Sequence, residues 1–234
     1  SGEKAWHPCC MGTLSARQGR AGQRRTYHKN HGASHLRGKG YAHHMIGYAF
    51  CASFCTHQKS LNVLKQLVAS GYEILPIISE NSFSTDTRFG KAPDFIKQVE
   101  SVCGHSAVHT IREAEPIGPK LNLDLLIIAP CTGNTLSKLS RGIADSCVSM
   151  AAKAQLRSNR PVVIALASND ALSGNLESIG KLLNRKNVYF VPLVQDDPLK
   201  KPHSLICRFD KIEATAKMAL QGKQIEPLFE NPNS

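Results

Sequence analysis

Four short stretches of this sequence combine residue types that can hold a small polar ligand. The first is Cys51-Ala52-Ser53-Phe54-Cys55-Thr56-His57. Small and hydroxyl residues ahead of a helix present backbone N–H groups and a side-chain donor, which suits a phosphate. A plain helix cap at Ser53 or Thr56 uses the same residues, and both readings stay open. The second stretch is Ala129-Pro130-Cys131-Thr132-Gly133-Asn134-Thr135. Pro130 stops an extended run, and Thr132, Gly133 and Asn134 then lead into a helix. A cap needs one such residue, so three in a row point to a ligand. The third is Ser168-Asn169-Asp170. The fourth is 195–202, where Asp196, Asp197, Lys200 and Lys201 suit either an acidic substrate or a solvated loop. No GxGxxG is present, so a conventional dinucleotide site is not supported.

These stretches need elements to position them. Residues 45–52 read as a buried strand. Leu61, Leu64, Leu67 and Val68 give helical spacing over 58–70, closed by Gly71. Residues 73–79 form a second strand, with Pro76 marking an edge or a bulge. A polar loop over 80–92 precedes a helix at 93–103 that carries Pro93 in its first turn. A short strand follows at 107–111, then the most apolar strand, 124–130. Helices are expected at 132–141 and 146–158, a strand at 161–168, a helix at 175–184, a last strand at 188–194 and a last helix at 210–221. This alternation predicts an α/β fold, a Rossmann-like doubly wound parallel sheet of about six strands, in a single domain over 45–222. Ligands in such sheets collect beyond the strand carboxyl ends, where strand order reverses. Ser53 is therefore expected to meet Pro130, Thr132, Gly133 and Asn134 across one crevice.

The net charge of +11 is unevenly spread. Residues 1–44 hold eight Lys and Arg against one acid, and 45–234 hold 21 against 17. The first segment also holds six of the ten histidines and has little apolar periodicity. It reads as a disordered or non-native basic extension, with Met45 as the start of the folded chain. A nucleic-acid-binding tail is the competing reading of that segment. Residues 223–234, rich in Asn and Pro, read as a loose C-terminal tail. There is no apolar run of ~18 residues and no secretory signal, so no membrane span is expected. The eight cysteines (Cys9, Cys10, Cys51, Cys55, Cys103, Cys131, Cys147, Cys207) contain no recurring CxxC pair. Reduced buried thiols in a cytoplasmic protein, with no metal site, are the expectation.

The run 129–135, followed by Leu136-Ser137-Lys138-Leu139 and Gly142-Ile143-Ala144-Asp145, resembles the signature of the flavin-dependent cysteine decarboxylase superfamily of flavoproteins. Thr87-Arg88-Phe89-Gly90-Lys91-Ala92, Glu115-Pro116-Ile117-Gly118-Pro119-Lys120, Met150-Ala151-Ala152-Lys153-Ala154, Ser168-Asn169-Asp170-Ala171-Leu172 and 195–202 resemble one branch of it, the dipicolinate synthase B-subunit family. The resemblance spans 45–222. It implies that Ser53, Pro130, Thr132, Gly133, Asn134, Thr135 and Asn169 form a cofactor site for FMN. It also implies an oxidoreductase subunit that converts dihydrodipicolinate to dipicolinate together with an A-type partner, in the mother cell of a sporulating bacterium. NAD(P) would sit on that partner, which agrees with the missing GxGxxG. Two departures stand out. The superfamily's first loop runs Thr-Gly-Ser, where this chain has Cys51-Ala52-Ser53, placing a Cβ where backbone would approach a phosphate. No His occupies 112–123, where the decarboxylases carry a catalytic one, so decarboxylation is disfavoured.

Binding a dicarboxylate calls for cations. The candidates are Arg88, Lys120, Lys200 and Lys201, with Lys91 and Lys153 behind them, and Arg88 foremost because guanidinium pairs carboxylate bidentately. No catalytic base is identified. A stand-alone FMN-binding flavoprotein is the alternative function. An oligomer is expected, and neither nucleic acid nor membrane is an expected partner.

Overall fold

A computed structural model describes residues 44–118 and 120–231. All of the basic extension except His44 lies outside the described residues. The chain runs β1 (Met45–Phe50), α1 (His57–Ala69), β2 (Glu73–Ile78), α2 (Glu80–Ser84), α3 (Ala92–Cys103) and α4 (Ile111–Ala114). It continues through β3 (Leu125–Cys131), α5 (Gly133–Arg141), α6 (Cys147–Arg157), β4 (Val162–Ser168), α7 (Leu176–Leu183), β5 (Val188–Phe190), β6 (Leu193–Val194), β7 (Leu205–Cys207) and α8 (Ile212–Leu220).

Seven strands form one sheet among the described residues, in the order β2-β1-β3-β4-β7-β6, with β5 also paired to β4. β1 to β5 pair in parallel, while β7 runs antiparallel to β4 and to β6. Parallel strands are covered on both faces, which explains why β3 and β4 read as unbroken apolar runs. All seven residues of β3 are buried. On one side α1 packs against α3 and α8. On the other α6 packs against α4 and α5, and α5 against α7. The Rossmann-like, doubly wound fold expected from the alternation is the one observed.

Four local expectations differ from the structure. The single last strand is broken at Pro192, which has no N–H for the ladder. Its first half, β5, stays parallel to β4, and its second half, β6, joins β7 in a segment where no strand was expected. The strand expected at 107–111 is reduced to one bridge, Ile77 to Val108. Thr110 then forms a reciprocal capping box with Glu113 and turns the chain into α4. The loop expected at 80–92 opens with α2, whose N-cap Ser79 accepts from Ser82 N–H. The tail is not loose up to Asn231. Leu193 N–H donates to Leu228 O, Glu230 N–H donates to Leu193 O, and the Gln224 amide brackets both backbone groups of Phe190. Pro76 fulfils its expectation, because β2 ends the strand order and Pro76 O accepts from Val108 N–H there.

Candidate functional site: a cleft where strand order reverses

From β1 the chain crosses to β2 on one side, and from β3 to β4 on the other. The reversal point lies between β1 and β3, and the loops leaving their carboxyl ends meet there. Cys51 N–H donates to Pro130 O at 3.1 Å, and the Thr135 hydroxyl donates to Cys51 Sγ at 3.3 Å. Beneath them, buried Ser60 of α1 donates to Ala129 O at 2.5 Å and meets the Tyr48 hydroxyl at 2.9 Å. This fastens α1, β1 and β3 together under the site. Burial pushes the Cys51 thiol up to about 11, so it is a neutral packing group here.

A cleft of about 600 Å³ opens above this junction. Cys51 and Ala52 form one wall, and Thr132, Asn134 and Thr135 another. Ser79 and Glu80 close it from the end of β2, Thr110 and Arg112 from the start of α4, and Lys138, Asp145 and Ser146 from α5 and the entry to α6. Most charges here are engaged. Glu80 Oε1 accepts from Cys147 N–H at 2.7 Å, placing a carboxylate at the N-terminus of α6. Lys138 pairs with Asp145 at 2.9 Å. Arg112 is exposed and forms no ion pair among the described residues.

The cofactor candidates divide. Thr132, Asn134 and Thr135 line the cleft, and Asn134 is exposed to it. Thr132 also caps α5, accepting from Thr135 N–H, so the cap and ligand readings hold together at this position. Pro130 is buried in β3 and meets the first loop through its carbonyl. Gly133 faces away from the cleft, toward a polar cluster. Ser168 donates to Asp170 Oδ1 at 2.5 Å, and Asn175 donates to Asp170 Oδ2 at 2.6 Å. A Cβ on Gly133 would strike Asn175, Ser168 and Asp170, so glycine is needed for this close approach. The Ser168 hydrogen bond, with Asn175, holds the Asp170 carboxyl below its ordinary range. Ser53 takes the Thr56 hydroxyl on its own Oγ and lies outside the cleft lining. It sits on the ridge between the cleft and a second hollow. Asn169 is exposed and its Oδ1 faces Ser204 at 3.5 Å, also off the lining.

None of the four cation candidates lines the cleft. Arg88 lies over the Phe89 ring, 4.8 Å from its centre. Lys120 precedes β3, at the amino end of the sheet and so at the wrong end for the site. Lys201 is held by Asp196 at 2.9 Å, and Lys200 faces Asp197 at 4.0 Å. The charges of 196–201 therefore largely satisfy one another. Lys153 is exposed on α6, and Lys91 borders the second hollow. The cleft's unpaired cation, Arg112, escaped the sequence reading. Thr110-Ile111-Arg112-Glu113 carries the capping-box pattern that would have exposed it, since that pattern starts a helix where a strand was expected.

The donor set suits a phosphorylated ligand with a hydrogen-bonding ring. It offers the Arg112 guanidinium, the Asn134 amide and the Thr110 hydroxyl, with the Ser79, Thr132 and Thr135 hydroxyls, whose protons go to Ser82, Thr135 and Cys51, as acceptors, in a space of mononucleotide size. Neither Ser53 nor Thr56 caps the turn into α1 with a side chain, and the Ser53, Thr56 and His57 N–H groups already donate to the Cys51, Ser53 and Phe54 carbonyls within the turn.

A crevice at the reversal point of a mostly parallel sheet, walled by hydroxyls and amides, defines a nucleotide-fold α/β protein. Residues 35–223 match the Flavoprotein family, and the chain belongs to it. The dipicolinate synthase B subunit of Bacillus subtilis (strain 168) is 42% identical over 196 residues, which are 84% of this chain and 96% of that protein. The crystal structure of the dipicolinate synthase B subunit from Bacillus halodurans C superposes with a TM-score of 0.74 at 37% identity, covering 80% of this chain and 96% of that one. The FMN-dependent cysteine decarboxylase SpaF shares the fold, with a TM-score of 0.56 at 18% identity over 77% of this chain and 97% of its own. No helix among the described residues is long and apolar enough to cross a membrane.

Proposed function

We propose that this chain is the B-type component of a dipicolinate synthase. With an A-type partner it would oxidise dihydrodipicolinate to dipicolinate in the cytoplasm of a sporulating mother cell. The observation that carries the reading is the 42% identity over 96% of a dipicolinate synthase B subunit, which spans every loop of the cleft. Aromatising the dihydropyridine ring removes one hydride and one proton, giving dipicolinate, NAD(P)H and H⁺. The hydride acceptor must sit within near-attack distance of the ring carbon. This chain has no nicotinamide fingerprint, so NAD(P) is placed on the partner.

FMN fits the cleft by donor type and size, and a flavin bound there would supply two-electron chemistry. Thr132, Asn134 and Thr135 would face its ring edge, and Arg112 its phosphate. Ser53, Pro130, Gly133 and Asn169 then support the loops rather than contact the ligand. The test is turnover of dihydrodipicolinate with NADP by the purified chain, alone and co-expressed with the A-type partner. Activity in the pair and not in the single chain supports the reading.

A second reading, a stand-alone flavoprotein, draws on the FMN-dependent neighbour and on the same cleft. A yellow purified chain with flavin absorbance, catalytically active without a partner, would favour it.

A further inference from the structure

A second hollow of about 460 Å³ lies across the Cys51-to-Thr56 turn from the cleft and shares no lining residue with it. We propose that this hollow is the binding site for the planar, carboxylated ring of the substrate, a pyridine-type mono- or dicarboxylate. The proposal rests on the dipicolinate synthase reading and adds to it where the substrate sits.

One wall is aromatic. His57 and Phe95 lie nearly parallel, at 19° and 4.5 Å between ring centres, and Phe54 tilts against His57 at 5.2 Å. His57 Nε2 contacts Cys51 O at 2.9 Å, and burial draws its pKa below the ordinary histidine value, so the ring is neutral. Flat neutral rings accept another flat ring by offset stacking or edge contact.

The facing wall is a stiff loop. Thr87 and Gly90 exchange two backbone hydrogen bonds, at 3.0 and 3.1 Å. Asp86 Oδ1 accepts from Ala92 N–H at 2.8 Å. Gly90 has φ +146°, which L side chains rarely adopt. This turn holds Phe89 out at 55% exposure, although folding alone rewards burying so large an apolar ring. Beside it Lys91 lines the hollow and forms no ion pair among the described residues, while Arg88, outside the lining, lies over the Phe89 ring. The lysines of 196–201, by contrast, face acids. Asp94 is the single acid of the lining. Aromatic faces for the ring and one cation, Lys91, for a carboxylate thus stand together, separated from the cleft by one turn that touches both.

The test is calorimetric titration of pyridine-2,6-dicarboxylate into the purified chain, with Phe89→Ala, Lys91→Gln and Asn134→Ala beside it. Phe89 and Lys91 make no buried contact that folding requires, and unchanged melting temperatures would verify that the variants are intact. The proposal expects one saturable site, weakened at least tenfold by Phe89→Ala and by Lys91→Gln and kept by Asn134→Ala. No binding at millimolar ligand overturns it. Loss in Asn134→Ala alone overturns it too, because the ring then sits in the cleft. If Phe89→Ala abolishes co-purification with the A-type partner while leaving the titration unchanged, the loop is a docking element and the proposal falls. Turnover by the pair separates the two claims. Dipicolinate formation with an unchanged KM in Lys91→Gln retires the pocket and leaves the functional reading standing. Binding without any turnover by the pair does the reverse.

Discussion

The two hollows flanking the turn after β1 differ in origin. The cleft is made by topology. Any parallel sheet whose crossovers reverse between β1 and β3 leaves a gap beyond those strands, and backbone amides and capping hydroxyls line it almost automatically. The neighbouring pocket is made by side chains: His57, Phe95, Phe54 and the exposed Phe89 have no topological reason to face one another. The first kind of site follows from strand order, while the second needs the path of a loop.

The largest expected effect breaks the cleft's support. Gly133→Ala drives a Cβ into the Ser168, Asp170 and Asn175 cluster, and the fold should lose about 2–3 kcal/mol in urea unfolding. A loss below about 0.5 kcal/mol would mean that the cluster yields freely. Ser60→Ala removes the donor to Ala129 O under the same junction and should cost about 1–2 kcal/mol by the same measurement.

Asn134→Ala sharpens the comparison on function. Asn134 is exposed, so the melting temperature should hold, while activity of the two-chain enzyme falls roughly tenfold, about the worth of one good hydrogen bond. Full activity would make the cleft a relic of the fold.

On the pocket side, His57 gives a pH signature. Its folded pKa lies below the ordinary 6.5, so the unfolded chain binds the extra proton first. Stability is therefore intact above about 6.5 and falls as pH drops below it. His57→Phe keeps a ring beside Phe95 and should flatten the slope of melting temperature between pH 7 and 5.5. An unchanged slope would show that the protonation is carried elsewhere. The smallest effect belongs to Lys201→Gln. Its exposed pair with Asp196 is screened by water, and no shift in melting temperature is expected.

The same contrast explains what could be read in advance. Strands 45–52, 124–130 and 161–168 were legible because burial on both faces leaves an unbroken apolar run, and with them came the β1/β3 crevice. Thr132, Asn134 and Thr135 followed from strand-end chemistry. Gly133 carried the right signal for a different reason, a close approach to a polar cluster. Arg88, Lys120, Lys200 and Lys201 were chosen by charge type, and charge type says nothing about which end of the sheet a lysine occupies or whether an aspartate five residues away already holds it. Arg112 and the broken strand at Pro192 depended on local signals, a capping box and a missing N–H, that were outweighed by short apolar runs.

The central claim is a division of labour between two chains. It is tested most directly by following the absorbance of NADPH as it forms, with dihydrodipicolinate and NADP supplied to this chain alone, to an A-type partner alone and to the co-expressed pair. Robust dipicolinate formation is expected from the pair and none from this chain alone. Robust NADPH production by the single chain, or none by a pair shown to be folded and associated, would contradict it.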